Sequence, residues 1–139
     1  MTQEQTKPVF TVATDLENKP FWDYIRQHEL RVQKCLKCGK LHYPVSPICP
    51  NCMSLESEWT KLSGKAKVAS FVIVHRGRSP LFPPGAPYVV AIVETEEGIR
   101  MLSNVVGCKP EDVKMDMPVE VIFEDFGPQL TVPRFRPVS

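Results

Sequence analysis

The sequence predicts a mainly β protein with three parts: an N-terminal helix, a cysteine-built ribbon and a small closed β-barrel. Three observations carry that expectation. Four of the five cysteines fall into two C-x-x-C pairs, Cys35/Cys38 and Cys49/Cys52. Segments rich in valine and other β-branched residues crowd into residues 65–139. Only one short helical turn can be placed among those segments, which favours a small barrel over a sandwich.

Taken in order, residues 1–17 read as a flexible or loosely docked polar arm. Asn18-Lys19-Pro20 has the form of a helix start, a capping residue just ahead of a first-turn proline. Phe21, Trp22 and Ile25 then share one helical face, with Arg26 and Gln27 on another. From Glu29 the period changes to two. Leu30 and Val32 alternate with Arg31 and Gln33, so a strand leads into Cys35. A short strand, Leu41-His42-Tyr43, fits between the cysteine pairs, and SLESEWTKLSG (54–64) reads as a connector carrying Trp59. The barrel strands are expected at 65–76, 87–95, 99–107, 118–125 and 129–132, with a hairpin turn at Glu96-Glu97-Gly98 and a short turn at Pro110 to Asp112. The division expected is therefore arm 1–17, helix and ribbon 18–56, and an OB-like barrel 57–139. RGRSPLFPPGAP (76–87) is too long for a tight hairpin, and loops of that length often carry function or meet a partner.

With 139 residues the chain suits one domain, or one domain plus a small metal-stapled appendage. Lys and Arg number 17 against 16 Asp and Glu, a balance that argues against a dedicated duplex-DNA binder. The start MTQEQTKPVF lacks the n- and h-regions of a secretory signal, and no apolar run approaches membrane-spanning length. A soluble, cytoplasmic protein is the expectation. In such a compartment paired C-x-x-C units favour a metal over disulfides.

A C-x-x-C turn brings two sulfurs to about 3.5–4 Å, the edge of a tetrahedron with metal–sulfur bonds of about 2.3 Å. Gly39 follows the first pair, where the chain must turn away from the metal in a left-handed conformation. A closed four-sulfur site has no open position for substrate, so structural zinc is the first reading and a compact rubredoxin-like ribbon the expected shape. Iron in an electron-transfer site uses the same four sulfurs and stays open as an alternative. A thioredoxin-type redox pair would need a βαβ setting, which is absent. Four sulfurs complete the shell, leaving His42 as a packing or surface residue. Elsewhere Cys108 and the histidines His28, His42 and His75 form no recognisable catalytic motif, and no G-x-S-x-G, phosphate loop or H-E-x-x-H occurs. Glu94, Glu96 and Glu97 read as solvated charge around a hairpin. On its own the chain reads as a non-enzyme.

Several separated motifs then coincide: Phe21-Trp22 in the helix, LRVQKCLKCGKLHYP, CPNC, the connector with Trp59, Ser63 and Gly64 running on to Ser70, PYVVAIVETEEGIRMLSNVVG, PEDVKMDMPVEVIFED, and the terminal Phe135-Arg136-Pro137. From about residue 18 to its end the chain closely resembles a family that pairs a rubredoxin-like zinc ribbon with an OB-fold. That family is described as acyl-CoA-associated and was long catalogued as a domain of unknown function. The resemblance implies zinc on Cys35, Cys38, Cys49 and Cys52. It also implies a non-catalytic accessory subunit of a thiolase-superfamily enzyme, or of a related acyl-CoA hydratase or aldolase, in a hetero-oligomer such as a heterotetramer. The large subunit would hold the nucleophilic cysteine and the acid–base residues, and the small one would serve assembly and help complete the CoA or acyl-CoA site.

No CoA-binding motif carries over, so candidates come from chemistry. CoA phosphates need cationic, preferably bidentate donors, which nominates Arg76, Arg78, Arg134 and Arg136. Pro80, Leu81, Phe82, Pro83 and Pro84 form a stiff apolar loop tip suited to a partner contact, since little entropy is lost on docking. Phe21 and Trp22 could anchor the helix on a partner or on the barrel. Zinc ribbons and OB-folds also bind nucleic acid elsewhere, which is the competing function class; aliphatic barrel strands and a near-neutral charge weigh against it.

Overall fold

The computed structural model describes residues 16–76, 82, 85–128 and 130–138. Helix α1 (Lys19–Arg26) carries Pro20 in its first turn, and Asn18 holds the N-cap position without a side-chain cap bond. Asp23 receives Lys19 at 2.7 Å from the preceding turn and Arg26 from the following one. Phe21 and Ile25 form the buried face that the spacing requires.

The ribbon is a three-stranded antiparallel sheet of β1 (Arg31–Cys35), β2 (Leu41–His42) and β3 (Ser57–Lys61), in the order β2-β1-β3. The expected connector is therefore partly a strand. β3 pairs with the full length of β1, from Arg31↔Lys61 to Cys35↔Ser57, and so extends the ribbon's sheet past residue 57. Its sequence hides this because only Trp59 and Thr60 are even half-buried, so no apolar alternation is visible. Trp59 meets Tyr24 at 5.8 Å between ring centres and ties the helix to this sheet.

The barrel consists of β4 (Lys65–Val74), β5 (Tyr88–Thr95), β6 (Arg100–Val105), β7 (Pro118–Asp125) and β8 (Thr131–Pro137), closed in the order β4-β5-β6-β8-β7. A bulge between Val68 and Ser70 bends β4 so that it pairs with both β5 and β7. Closure depends on one parallel bridge, Val105↔Phe135, supported by the Val106 amide donating to the Phe135 carbonyl at 2.8 Å.

The last strand begins later and runs further than the expected 129–132. Pro133 and Pro137 mask it in the sequence, since proline demotes a strand reading. The structure accommodates both because their backbone groups face β6, as the Phe135 carbonyl and the Ser103 hydroxyl donating to the Pro133 carbonyl at 2.8 Å establish. The dense ladder to β7 uses the alternate residues.

One core joins all parts: Ile25 from the helix, Leu30, Val32 and Leu62 from the ribbon side, and Val68, Val93, Val119 and Phe135 from the barrel. Gly64, at the ribbon–barrel junction, has φ +86°, and its carbonyl accepts the Val121 amide at 2.8 Å. Among the described residues no helix is long and apolar enough to cross a membrane.

Candidate metal centre

The two C-x-x-C turns are built alike. In the first, Cys35 N–H donates to the Lys40 carbonyl and Gly39 N–H to the Cys35 carbonyl; in the second, Cys49 N–H donates to Ser54 and Met53 N–H to Cys49. Each turn closes through a residue with positive φ, Gly39 at +77° and Met53 at +64°. Glycine announces the first turn; the methionine in the second carries no such signal, so sequence reasoning missed it. The turns face one another, with Cys35 Sγ 3.5 Å from Cys52 Sγ and Cys38 Sγ 3.6 Å from Cys49 Sγ. All four sulfurs lie within 4.8 Å of one another, the only such metal-ligand group among the described residues. These separations fit a tetrahedron with metal–sulfur bonds of about 2.3 Å.

The electrostatics point the same way. The Cys38 amide donates to Cys35 Sγ at 3.4 Å and brings that thiol down to about 6. The Ser54 amide lowers Cys52, but burial and the three neighbouring sulfurs outweigh it and push that thiol up to about 11. Four thiolates at this spacing repel one another, and a divalent cation is what lets all four ionise together. His42 is buried in β2 with Nδ1 unpartnered, burial holds its imidazole below the usual value, and it stands outside the sulfur group.

The other candidates are dispersed. Arg78, Pro80, Leu81, Pro83 and Pro84 lie outside the described residues. Arg76 is exposed at the end of β4, and Arg136 is exposed and paired with Glu120 at 2.8 Å. Arg134 is only 3% exposed. It donates from Nη1 to Glu124 at 2.8 Å and lies between the rings of Phe82 (4.4 Å) and Phe126 (5.1 Å), while Nε and Nη2 have no partner. Phe82 in turn stacks on Tyr88 at 4.4 Å. Phe21 belongs to the common core, edge-on to the half-buried Trp22 at 5.2 Å.

Cys108 packs against the core, where burial and then Asp112 push its thiol up, the opposite of an activated nucleophile. His28 stacks on Phe123 and lies 3.2 Å from the Asp125 carboxylate, joining the end of α1 to β7; nothing in the sequence spacing announced that pair. The outer barrel face is also more apolar than alternation suggests. Val72 is 60% and Leu102 69% exposed, and with Val90 and Ile92 they line a shallow groove of about 160 Å³.

Comparison with known proteins fits this architecture. Residues 22–58 match the ChsH2 rubredoxin-like zinc ribbon domain and residues 59–124 the ChsH2 C-terminal OB-fold domain. A DUF35 domain-containing scaffold protein of Methanocaldococcus jannaschii is 42% identical over 104 residues, 73% of each chain. A probable enoyl-CoA hydratase alpha subunit of Thermomonospora curvata is 35% identical over 90% of this chain, which spans only 39% of that relative's length. Benzoylsuccinyl-CoA thiolase subunit BbsA of Geobacter metallireducens is 35% identical over 56% of this chain and 51% of the subunit. Among solved structures, a chain of the Ltp2-ChsH2(DUF35) aldolase superposes with a TM-score of 0.84 at 35% identity, covering 91% of this chain and 98% of that one. The matched domains, their order and the facing cysteine turns make this chain a member of the DUF35 family of ChsH2-type proteins, a rubredoxin-like zinc ribbon followed by an OB-fold.

Proposed function

We propose that the chain is a non-catalytic accessory subunit of an enzyme acting on acyl-CoA thioesters, with a thiolase-type enzyme that makes or breaks carbon–carbon bonds as its companion. The observation that carries this reading is the closed sulfur site. Four ligands facing one another leave no coordination position for substrate or water, so the metal's role is to hold a fold. Among the described residues no activated nucleophile stands in for it. The large exposed Val72 and Leu102 fit a chain that works in an assembly. A thiolase subunit among the relatives is consistent with this companion, and the hydratase and aldolase names support the second choice, a hydratase or aldolase partner.

Zinc would be held by Cys35, Cys38, Cys49 and Cys52, where it would supply folding energy to a ribbon whose edge strand β2 has only two residues. The chain's own residues do the rest of the ribbon's work. The Cys38 amide stabilises charge on Cys35, and the paired turns aim the sulfurs inward. For the shared CoA site, Arg76, Arg78, Arg134 and Arg136 are the cationic candidates; of these, Arg134 is buried and paired with Glu124, which leaves the exposed Arg76 and Arg136 better placed to meet a phosphate.

Co-expression with a thiolase-type CoA enzyme of the same organism tests the proposal. A stable complex whose thiolysis activity exceeds that of the enzyme alone supports the subunit role; two proteins that elute separately, with the enzyme fully active, overturn it. Colourless protein with one equivalent of zinc removes the iron alternative. A steep salt dependence of tight single-strand binding would instead favour the nucleic-acid class.

A further inference from the structure

The tip of the ribbon carries large apolar side chains that the core leaves uncovered. Leu36, Ile48, Met53 and Leu55 are all exposed, Met53 the most at 76%. Backbone bonds join their positions into one patch. The Cys49 amide donates to the Ser54 carbonyl at 2.9 Å, which sets Ile48 beside Leu55. The Leu36 amide donates to the Glu56 carbonyl at 3.0 Å, which brings Leu36 to the other side of Leu55. Met53 closes the second cysteine turn at φ +64°, where Gly39 does the same work in the first. Its left-handed backbone is strained, and the exposed side chain gains no burial in return. A residue that the fold neither favours nor buries points to a role outside the fold, and methionine is enriched at interfaces.

Charge flanks the patch with both signs. The sheet order is β2-β1-β3; Lys40 precedes β2 and its carbonyl accepts the Cys35 amide at 2.9 Å, whereas Glu56 precedes β3. The exposed Lys40 and Glu56 therefore stand on opposite flanks of the end of β1. A nucleic acid or an anionic membrane presents one sign and would meet only half of this rim; a protein surface can answer both. We propose that the patch docks into an apolar recess of the companion CoA enzyme, whose rim supplies a carboxylate to Lys40 and a cation to Glu56. The inference rests on the accessory-subunit reading. Area selects this occupant over a second copy. Two ribbons meeting tip to tip would contribute little beyond these four side chains, against about 20–30 residues a side in a stable interface. A larger companion adds contact elsewhere, for which the barrel face offers the exposed Val72 and Leu102.

The test is calorimetric titration of the full-length, zinc-loaded chain into a thiolase-type CoA enzyme of the same organism. Met53→Gly and Leu55→Ser should each weaken the complex about tenfold or more. Zinc content of the free chain should be unchanged in both, and its urea midpoint unchanged for Leu55→Ser and unchanged or raised for Met53→Gly, which relieves the strained turn. A merely structural role predicts the opposite pairing, weaker binding only where the fold is weakened. Variants that bind like the parent overturn the docking face and leave the subunit reading standing, whereas a parent chain that forms no complex overturns both. A chain that dimerises alone in sedimentation velocity, and loses the dimer on Leu55→Ser, overturns the proposal by assigning the patch to a second copy.

Discussion

Replacing Gly64 with alanine probes the junction on which ribbon and barrel turn. At φ +86° an L side chain is strained, and its Cβ would stand 2.6 Å from Val121 Cγ1. The left-handed backbone costs about 1–2 kcal/mol. Two carbons at 2.6 Å are far inside the comfortable separation of about 3.5–4.0 Å. Val121 has little room to retreat, because it sits in the β7 ladder opposite Phe135 and its amide is bonded to Gly64 itself. Overpacking of this kind costs about 1–3 kcal/mol. Gly64→Ala should therefore destabilise by about 2–5 kcal/mol, a large part of the 5–15 kcal/mol typical of a domain. Val121→Ala removes the clashing methyl, so the double variant should be more stable than the sum of single effects by about 1–3 kcal/mol. Urea denaturation followed by circular dichroism, with zinc held in excess, measures both quantities through the midpoint at constant slope. Gly64→Ala within about 0.5 kcal/mol of the parent, or strict additivity with Val121→Ala, would refute the junction geometry.

Other perturbations have equally definite outcomes. Chelation, or Cys49→Ser, should release the metal and shift Trp59 emission to the red as β3 loses its sheet; an unchanged Trp59 spectrum in metal-free protein would remove the structural role of the site. Glu124→Ala leaves the buried Arg134 guanidinium without its carboxylate and should cost about 1–3 kcal/mol, whereas Arg134→Leu, which removes the charge itself, should cost less; the reverse order in denaturation midpoints would contradict this. The Thr131 hydroxyl, and then His28, hold the Asp125 carboxyl below the usual carboxylate value. Its stabilisation is therefore complete above that ordinary value and is lost as pH falls through the lower folded one. Asp125→Asn should flatten the acid limb of the stability curve below about pH 5 relative to the parent, and parallel curves would show that the contacts carry no weight.

The two cysteine pairs were legible because metal geometry is local: a C-x-x-C turn fixes its own sulfur spacing whatever surrounds it. The four inner barrel strands from Lys65 to Asp125 were legible for a similar reason, each being long enough to display β-branched density between turn residues. β3 was not, because a short, half-exposed strand buries too little to impose a pattern. β8 was cut short by its prolines, whose tolerance depends on the sparse bonding toward β6 that only the closed barrel creates. Arg134 reads in sequence as a cationic candidate for CoA phosphate, next to the aromatic Phe135. Its burial comes from Phe82 and Phe126, residues that chain topology delivers from two different loops. Met53 performs the turn that Gly39 performs in the first pair, and no propensity rule selects a methionine for it.

Steady-state turnover of CoA thioesters by the isolated, zinc-loaded chain, run beside the same chain recombined with a thiolase-type CoA enzyme, bears most directly on the division of labour proposed. No thiolysis, hydration or aldol cleavage by the chain alone is expected, and the recombined complex should turn over faster than the enzyme without it. Appreciable turnover by the chain alone would place the bond-making residues here and contradict the accessory role.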